Sequence, residues 1–355
     1  MTPELLERRV AALAQLRVAD PARPVLAAPD EHHLRRVLRA RVGEEVVVTD
    51  GRGAWAICAV AESGLEPLTA PALDPAPPES VLYLAPPRGD RADWAIAKAT
   101  EVGVSRVVPL VAANLAWRFA GETRAKVLAR WRRVADPARP VLAPPDEHHL
   151  RRVLRARVGE EVVVTDGRGA WAICAVAEAG LEPLTGPALD PAPPESVLYL
   201  APPRGERADW AIAKATEVGV SRVVPLVTAN LAWRFSGEAR AKVLARWRRV
   251  AAEAAGQCRR THDLVIDEPT TPAAVPGDVA VCELTGSASR DWRGVRAVAV
   301  GPEGGWAPGE WGDERRRLSL GDTVLRSETA AVLAGALCVL AGASPGFSLG
   351  TKEAG

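Results

Sequence analysis

Lysine is scarce in this chain: of 45 basic residues only five, Lys98, Lys126, Lys214, Lys242 and Lys352, are lysines. Net charge is scarcer still, at +1 over 355 residues. That excludes a polycation that coats nucleic acid indiscriminately, so any nucleic-acid site must be local. Cysteine amounts to Cys58, Cys174, Cys258, Cys282 and Cys338. No two form a CxxC pair and none stands beside a histidine at ligand spacing, which points to a reduced compartment and no zinc site. Long apolar runs are missing too. The strongest, TAAVLAGALCVLAGAS from Thr329 to Ser344, has 16 residues rich in alanine and glycine and reads as a buried helix, not a membrane span. The opening MTPELLERRVAALAQL carries acids and no long apolar core, so it does not read as a secretory leader. These absences predict a cytoplasmic protein with no membrane partner and no metal.

What is present is ordinary globular composition, 48% apolar and 25% charged, in a chain long enough for two or three domains. The basic residues are nearly all arginine, whose planar five-donor fork suits phosphate.

Aligned against itself at an offset of 116 residues, the chain matches from Arg17 with Arg133 to Ala135 with Ala251, and only seven pairs differ, among them Ala28/Pro144 and Asp90/Glu206. The period far exceeds the roughly 20 to 50 residues of solenoid repeats. RVADPARP at Arg17 and RVAAEAAG at Arg249 share only RVA, so Arg133, Val134 and Ala135 mark where one copy ends and the next begins. Removing 116 of the 355 residues leaves 239, the length of a protein whose front half is here written twice.

Within the second copy, short β-rich runs (Glu161 to Thr165, Trp171 to Val176) alternate with the turn signals Asp166-Gly167 and Arg168-Gly169. A basic helix, EHHLRRVLRAR, precedes them, and the whole outlines a small β-barrel. LDPAPPES, Leu189 to Ser196, reads as a stiff linker, because its prolines cannot serve in a central ladder. Strands and helices then alternate: VLYLAPP, the helix RADWAIAKATEVG closed by Gly219, RVVPLV, a long helix from GEARAK, DVAVCEL, VRAVAVG, a helix near Pro308 to Leu318, the strand-like DTVLR and the apolar C-terminal helix. Near-continuous apolar strands separated by helices predict a parallel sheet covered on both faces, the α/β class.

In such sheets ligands collect at the carboxyl ends of the strands. GPEGGW, residues 301–306, follows VRAVAV at that kind of position, and its glycines let backbone N–H groups approach a ligand. A glycine-rich turn without ligand is the other reading of this stretch alone. It is not GxGxxG, and no acid about 20 residues on completes a dinucleotide fingerprint. SLGDTVLRSETAAVLAGAL puts Arg326 at a predicted strand end, with Ser327 as the expected N-cap of the next helix. Two glycine-bearing loops with an arginine between them suggest a cradle for a charged small molecule.

PPRGERADWAIAKATEVGVSRVVPL, AAGQCRR, AVGPEGGW and LGDTVLRSETAAVLAGA occur in that order. Together they closely resemble the RsmE family, SPOUT-class methyltransferases that methylate N3 of a uridine in 16S ribosomal RNA using S-adenosylmethionine. HHLRRVLRARVGEEVVVTDG resembles the same family's PUA-like barrel. The resemblance covers residues 133–355, whereas 17–132 resemble only the front half. It implies an α/β fold with a SPOUT-type parallel sheet and a C-terminal trefoil knot, an exception to the usual absence of knots, preceded by a PUA-like β-barrel with the front half duplicated. The domains would be a first barrel at 17–75, an orphan partial methyltransferase segment at 80–132, a second barrel at 133–190 and the methyltransferase domain at 196–347.

The same resemblance implies S-adenosyl-L-methionine bound by Leu284, Gly301, Pro302, Glu303, Gly304, Gly305, Leu320, Gly321, Leu325 and Arg326. Arg326 is the expected catalytic residue, and Glu303 the expected residue for loop geometry or proton transfer. The 16S ribosomal RNA of the small ribosomal subunit would be held by His148, His149, Arg151, Arg152, Arg155, Arg204, Arg207, Arg259 and Arg260, in a homodimer formed through the knotted domain. Charge pattern alone favours an amphipathic helix with a solvated basic face for HHLRRVLRAR, and the resemblance reverses that preference. Gly256 before Gln257 departs from the family's Glu-Gln pair. A non-catalytic RNA-binding protein with tandem PUA-like modules, or a SPOUT methyltransferase acting on another RNA, are the competing readings.

Overall fold

A computed structural model of the protein describes residues 3–74, 79–84, 90–110, 131–153, 155–231, 233, 237–284 and 288–343. The chain divides into two compact units, one made of residues 1–84 and 103–109, the other of 85–102 and 110–355.

In the first unit a helix, Pro3–Ala11, precedes a five-stranded sheet. Its central strand Ala54–Val60 pairs antiparallel with Glu45–Thr49, Leu65–Pro67 and Ala72–Leu73, and Gln15–Arg17 adds in parallel to Glu45–Thr49. Alternate residues Val46, Val48, Ala56, Cys58 and Val60 point inward and meet Leu34 in one core. The other face, with Val47, Trp55 and Ile57, is covered by Leu5 and Ala12 of the N-terminal segment. Arg8 pairs with Glu45 at 2.7 Å, and Arg9 pairs with Asp74 at 2.8 Å while lying 4.3 Å over the Trp55 ring. The unit also holds a two-stranded parallel sheet, Val81–Leu84 with Arg106–Pro109.

The second unit repeats the barrel in the same register, with strands Trp131–Arg133, Glu161–Thr165, Ala170–Val176, Leu181–Pro183 and Ala188–Leu189. Its outer contact is different. Asp190, the counterpart of Asp74, accepts from Thr261 Oγ1 at 2.8 Å, the Gly169 N–H donates to the Thr261 carbonyl, and Arg133 pairs with Asp263. The loop 261–263 occurs once in the chain, so only this barrel can be fastened by it.

Beyond the barrel lie β1 (Val197–Leu200), α1 (Glu206–Glu217), β2 (Arg222–Pro225), α2 (Gly237–Cys258), β3 (Val265–Ile266), β4 (Ala280–Cys282), β5 (Ala297–Val300), β6 (Arg317–Leu318) and α3 (Ser327–Ala343). The six strands form one sheet in the order β3-β2-β1-β5-β4-β6, every pair parallel. Leu198 and Leu200 on one face of β1 meet Ala208, Ala211 and Ile212 of α1, Trp247 of α2 and Ala331, Ala334 and Leu337 of α3. Small residues on α1 and α3 allow this approach: a side chain on Gly335 would stand 2.7 Å from Val220.

The same sequence VLYL has different surroundings in its two copies. In β1 its alternate residues Leu198 and Leu200 are buried, whereas in Val81–Leu84 none of the four is, and Tyr83 is 61% exposed. Local propensity is identical, so the difference is tertiary: β5 and α3 exist once.

Four expectations are corrected. Residues 308–318 form turns ending in β6 instead of a helix. Gly309 adopts φ +72, and the Glu310 carboxylate accepts from the backbone N–H of Ala229 at 2.8 Å and of Ala307 at 2.9 Å, which holds the segment open. DTVLR is not a strand. Gly321, at φ +142, turns the chain after β6, and Val324 is exposed, so the pattern has no buried face to pair. Arg326 therefore precedes α3 from a loop. Ser327 is the first residue of α3 rather than its cap, and its Oγ is buried with no hydrogen-bond partner among the described residues. EHHLRRVLRAR is one α turn, Pro144–His148, followed by a π turn, His149–Val153, which sinks Leu150 into the barrel core. Arg155 lies beyond it at φ +50.

Two expected outcomes follow. Leu198→Ala should lower unfolding stability by about 3 kcal/mol and Leu82→Ala by about 1 kcal/mol or less, read from denaturant melts of the full chain. Buried Leu16 of the first barrel corresponds to Arg132 in the second, because the repeat begins one residue later. Arg132→Leu should then raise stability by about 1 kcal/mol in the same measurement.

Candidate active site

Because all six strands run one way, their carboxyl ends and the loops leaving them share one edge. The chain proceeds from β1 to β2 and β3 on one side, then to β4, β5 and β6 on the other. The two directions part between β1 and β5. Residues 201–205 and 301–305 leave the strands there, at the kind of crevice where open α/β sheets take ligands.

The second of these loops is shaped by its glycines. Gly305 adopts φ +68, in the left-handed region that favours glycine. A Cβ on Gly301 would lie 3.0 Å from the Trp306 ring, and one on Gly304 would lie 3.3 Å from Asn230 Cβ. The Asn230 amide donates to the carbonyls of Gly304 (3.3 Å) and Gly305 (3.2 Å). Trp306 Nε1 donates to the Cys282 carbonyl at 2.9 Å, fastening the loop to the end of β4, and its ring meets Trp311 edge-on at 5.2 Å. Pro302 is buried, while Glu303, Gly304 and Gly305 face solvent.

Leu284 follows β4 and is half-buried, as are Leu320, Gly321 and Leu325 after β6. Arg326 is exposed, and behind it Ser327, Glu328 and Thr329 are buried in the first turn of α3. Arg207 of α1 joins these parts: its Nη1 stands 3.1 Å from Glu303 Oε1 and 3.9 Å from Glu328 Oε2. One guanidinium thus ties the GPEGG loop to α3. The 3.9 Å separation is an ion pair without a hydrogen bond, and Glu328 Oε2, like Ser327 Oγ, is buried with no hydrogen-bond partner among the described residues.

A helix of the first repeat, Asp90–Glu101, reaches the same segment. Glu101 accepts from Lys98 Nζ and from Thr329 Oγ1, and Lys98 Nζ donates to Thr329 Oγ1 at 2.8 Å. Burial pushes the Glu101 carboxyl up, but hydrogen bonds from Lys98 and Thr329 and the nearby charges of Lys98 and Arg326 outweigh it and hold the group below the ordinary carboxylate range.

The structure thus gathers the predicted cofactor residues along one sheet edge and separates the predicted RNA residues. Arg207, though exposed, is engaged with Glu303 and Glu328. Arg260 donates from Nη1 to the carbonyls of Thr216 and Val220, each at 2.8 Å, and from Nε to the His262 carbonyl, so it braces the turn after α1. Arg151 pairs with Glu147 at 3.1 Å and donates to the Ala177 carbonyl at 3.0 Å, holding the barrel helix to its sheet. His148, Arg152, Arg155, Arg204 and Arg259 are exposed, and the His149 side chain lies outside the described residues. Asn230 was not predicted; it lies more than 70 residues from the loop it supports, and no local pattern marks it. All five cysteines are free thiols, and burial pushes Cys58 up to about 11 and Cys338 to about 12, leaving both protonated near neutrality and poor nucleophiles.

Gly305→Ala should cost about 1 kcal/mol, because alanine must hold a positive φ. Gly277→Ala, at an open turn position, should leave the melt unchanged; an equal loss in both would refute this account of the loop.

A family model described as an RNA methyltransferase domain matches residues 74–139 and 190–339, and one described as an RNA methyltransferase PUA domain matches 28–70 and 145–186. Proteins named ribosomal RNA small subunit methyltransferase E from Mycobacterium bovis and Mycobacterium tuberculosis are each 34% identical over 221 residues, 54% of this chain and 83% of theirs. Among solved structures, a putative methyltransferase from Legionella pneumophila, in complex with bound SAM, superposes with a TM-score of 0.53 at 23% identity, covering 60% of this chain and 98% of its own, and shows the shared fold. Since the match over 190–339 spans all six strands, Arg207, the GPEGG loop and Arg326, the chain belongs to the RsmE family of RNA methyltransferases and is an enzyme of that class.

Proposed function

We propose that this enzyme transfers a methyl group from S-adenosylmethionine to N3 of a uridine in the 16S ribosomal RNA of the small subunit. The observation that carries the reading is the Arg207 bridge between Glu303 and Glu328, which joins the GPEGG loop to the start of α3 at the switch point of the sheet. The names of the mycobacterial relatives support ribosomal RNA of the small subunit as substrate.

The residues present fit the cofactor. Gly305 has open space where a side chain would stand, and Ser327 Oγ and Glu328 Oε2 are buried polar atoms lacking hydrogen-bond partners among the described residues. We assign the binding surface to Leu284, Gly301, Pro302, Glu303, Gly304, Gly305, Leu320, Gly321, Leu325 and Arg326. When bound, S-adenosylmethionine supplies an electrophilic methyl group on a positively charged sulfur.

Uridine N3 carries a proton and is a poor nucleophile until that proton is lost. The task of the protein is to orient the base and favour its anion. Arg326, exposed at the mouth of the site, stabilises charge on the uracil. Glu303, engaged by Arg207, sets the loop geometry, and the N3 proton passes to water. RNA is held by the exposed His148, Arg152, Arg155, Arg204 and Arg259. The trefoil knot belongs to the same reading: the chain visits β4, then β5 inside it, then β6 outside it, an order compatible with threading. So does a homodimer through α3, whose Leu340 is exposed. The domain limits 17–75, 80–132, 133–190 and 196–347 are kept, with the segment at 80–132 catalytically empty because it lacks a GPEGG loop.

Calorimetric titration of S-adenosylmethionine into the full chain should give one site per chain. Arg326→Ala should weaken that binding and, at saturating S-adenosylmethionine, still lower methyl transfer by about a hundredfold or more, with mass mapping of 16S RNA locating the product. Failure to bind S-adenosylmethionine would sink the reading, and methylation elsewhere would replace its substrate.

A further inference from the structure

The second copy of the helix ERADWAIAKATE is α1 of the methyltransferase sheet, whereas the first, Asp90–Glu101, is not built into that sheet. It nevertheless has a defined seat. Trp94 lies against Trp210, its own counterpart at an offset of 116, with ring centroids 4.9 Å apart, and Lys98 Nζ stands 5.7 Å from the Trp210 ring.

From that seat the last turn of the helix grips the segment around Arg326 on both sides. Ahead of it, Thr323 Oγ1 donates to the Glu101 carbonyl at 2.7 Å. Behind it, Thr329 Oγ1 donates to the Glu101 carboxylate. Lys98 donates to both Glu101 oxygens, at 2.8 and 2.9 Å, and to Thr329 Oγ1 at 2.8 Å, and stands 4.0 Å from Glu328. Arg326 itself stays exposed between the two attachment points. The grip therefore orders the segment without covering the side chain. The identical pair in α1, Lys214 with Glu217, is 2.7 Å apart and bonds to none of these residues.

We propose that the first repeat supplies a clamp to the active site, with Glu101 and Lys98 as positioning residues that hold residues 323–329 and thereby set Arg326. For its catalytic consequence this rests on the functional reading above; the clamp itself does not. It gives the duplicated front half a role: a second α1 sequence, freed from the sheet, becomes a brace for the loop on which the reaction depends.

The test uses the full chain and its variants Glu101→Ala, Glu101→Gln and Glu217→Ala, with two readouts. Hydrogen exchange of amides 323–330, measured without cofactor or RNA, should speed up about tenfold in Glu101→Ala, the size expected for losing a charge-assisted hydrogen bond. Glu101→Gln, which keeps an acceptor and the backbone carbonyl, should recover part of the protection, and Glu217→Ala should match the wild type. In single-turnover methyl transfer to small-subunit RNA, Glu101→Ala should lower the rate about tenfold at saturating RNA with little change in RNA affinity. Unchanged exchange at 323–330 in Glu101→Ala overturns the clamp. Faster exchange with an unchanged methylation rate overturns its catalytic role. If the wild type itself does not methylate RNA, the functional reading fails, and the exchange experiment still decides the clamp.

Discussion

The parallel pairing of Val197–Leu200 with Ala297–Val300 is the contact on which the rest of the molecule depends. It joins the repeated front half to a C-terminal half that exists once, and it places the GPEGG loop beside the end of β1. Two identical VLYL strands compete for one AVAV partner. The second copy wins for a reason of connectivity: it leads directly into α2 and β3, which pack on the same sheet, whereas the first leads into a second barrel; the shorter closing loop itself adds less than about 1 kcal/mol. Everything buried in β1 but not in Val81–Leu84 is the result of that competition.

The loser is left with two strands and a helix whose apolar residues cannot all be hidden. Val81, Tyr83, Trp94, Ile96 and Val102 are exposed to more than a third. Such surface is normally an aggregation hazard, and unpaired parallel strands add open edges. The helix lessens this by resting Trp94 on Trp210 and spending its Lys98–Glu101 pair on the loop ahead of α3. An element built for one environment has found a second that satisfies its polar end better than its apolar face.

Legibility in the sequence followed the range of the interaction. Strands β1, β2, β4 and β5 of the large sheet were readable because continuous apolar runs bounded by turn residues have few other uses, and the GPEGG loop because glycines after such a run are a local signal; the two-residue β3 and β6 carry no such run and were not read. The turn at 308–318 misled because ERRRL has helical composition, while the groups that hold it open, Ala229 and Gly309, act through a distant carboxylate contact and a backbone angle. Arg207 and Arg260 looked like free cations ahead of and after helices. Their partners, Glu303, Glu328 and the carbonyls of Thr216 and Val220, lie 40 to 121 residues away, beyond any spacing rule.

Arg207 shows why that mattered. As a surface arginine it would have contributed one more phosphate contact, interchangeable with Arg204. As a bridge it sits between two carboxylates that would otherwise repel each other across the crevice, and its charge is what allows an acidic loop and an acidic helix start to share one edge. A site of this kind stands on the opposite footing from a basic RNA groove. Its loop and helix start are joined by the half-exposed Arg207, while Arg326 beside them is exposed. Some of the arginines are spent on ion pairs and carbonyls of the protein itself, and others are left exposed. This division, which net charge and composition conceal, lets a chain of charge +1 act on a polyanion.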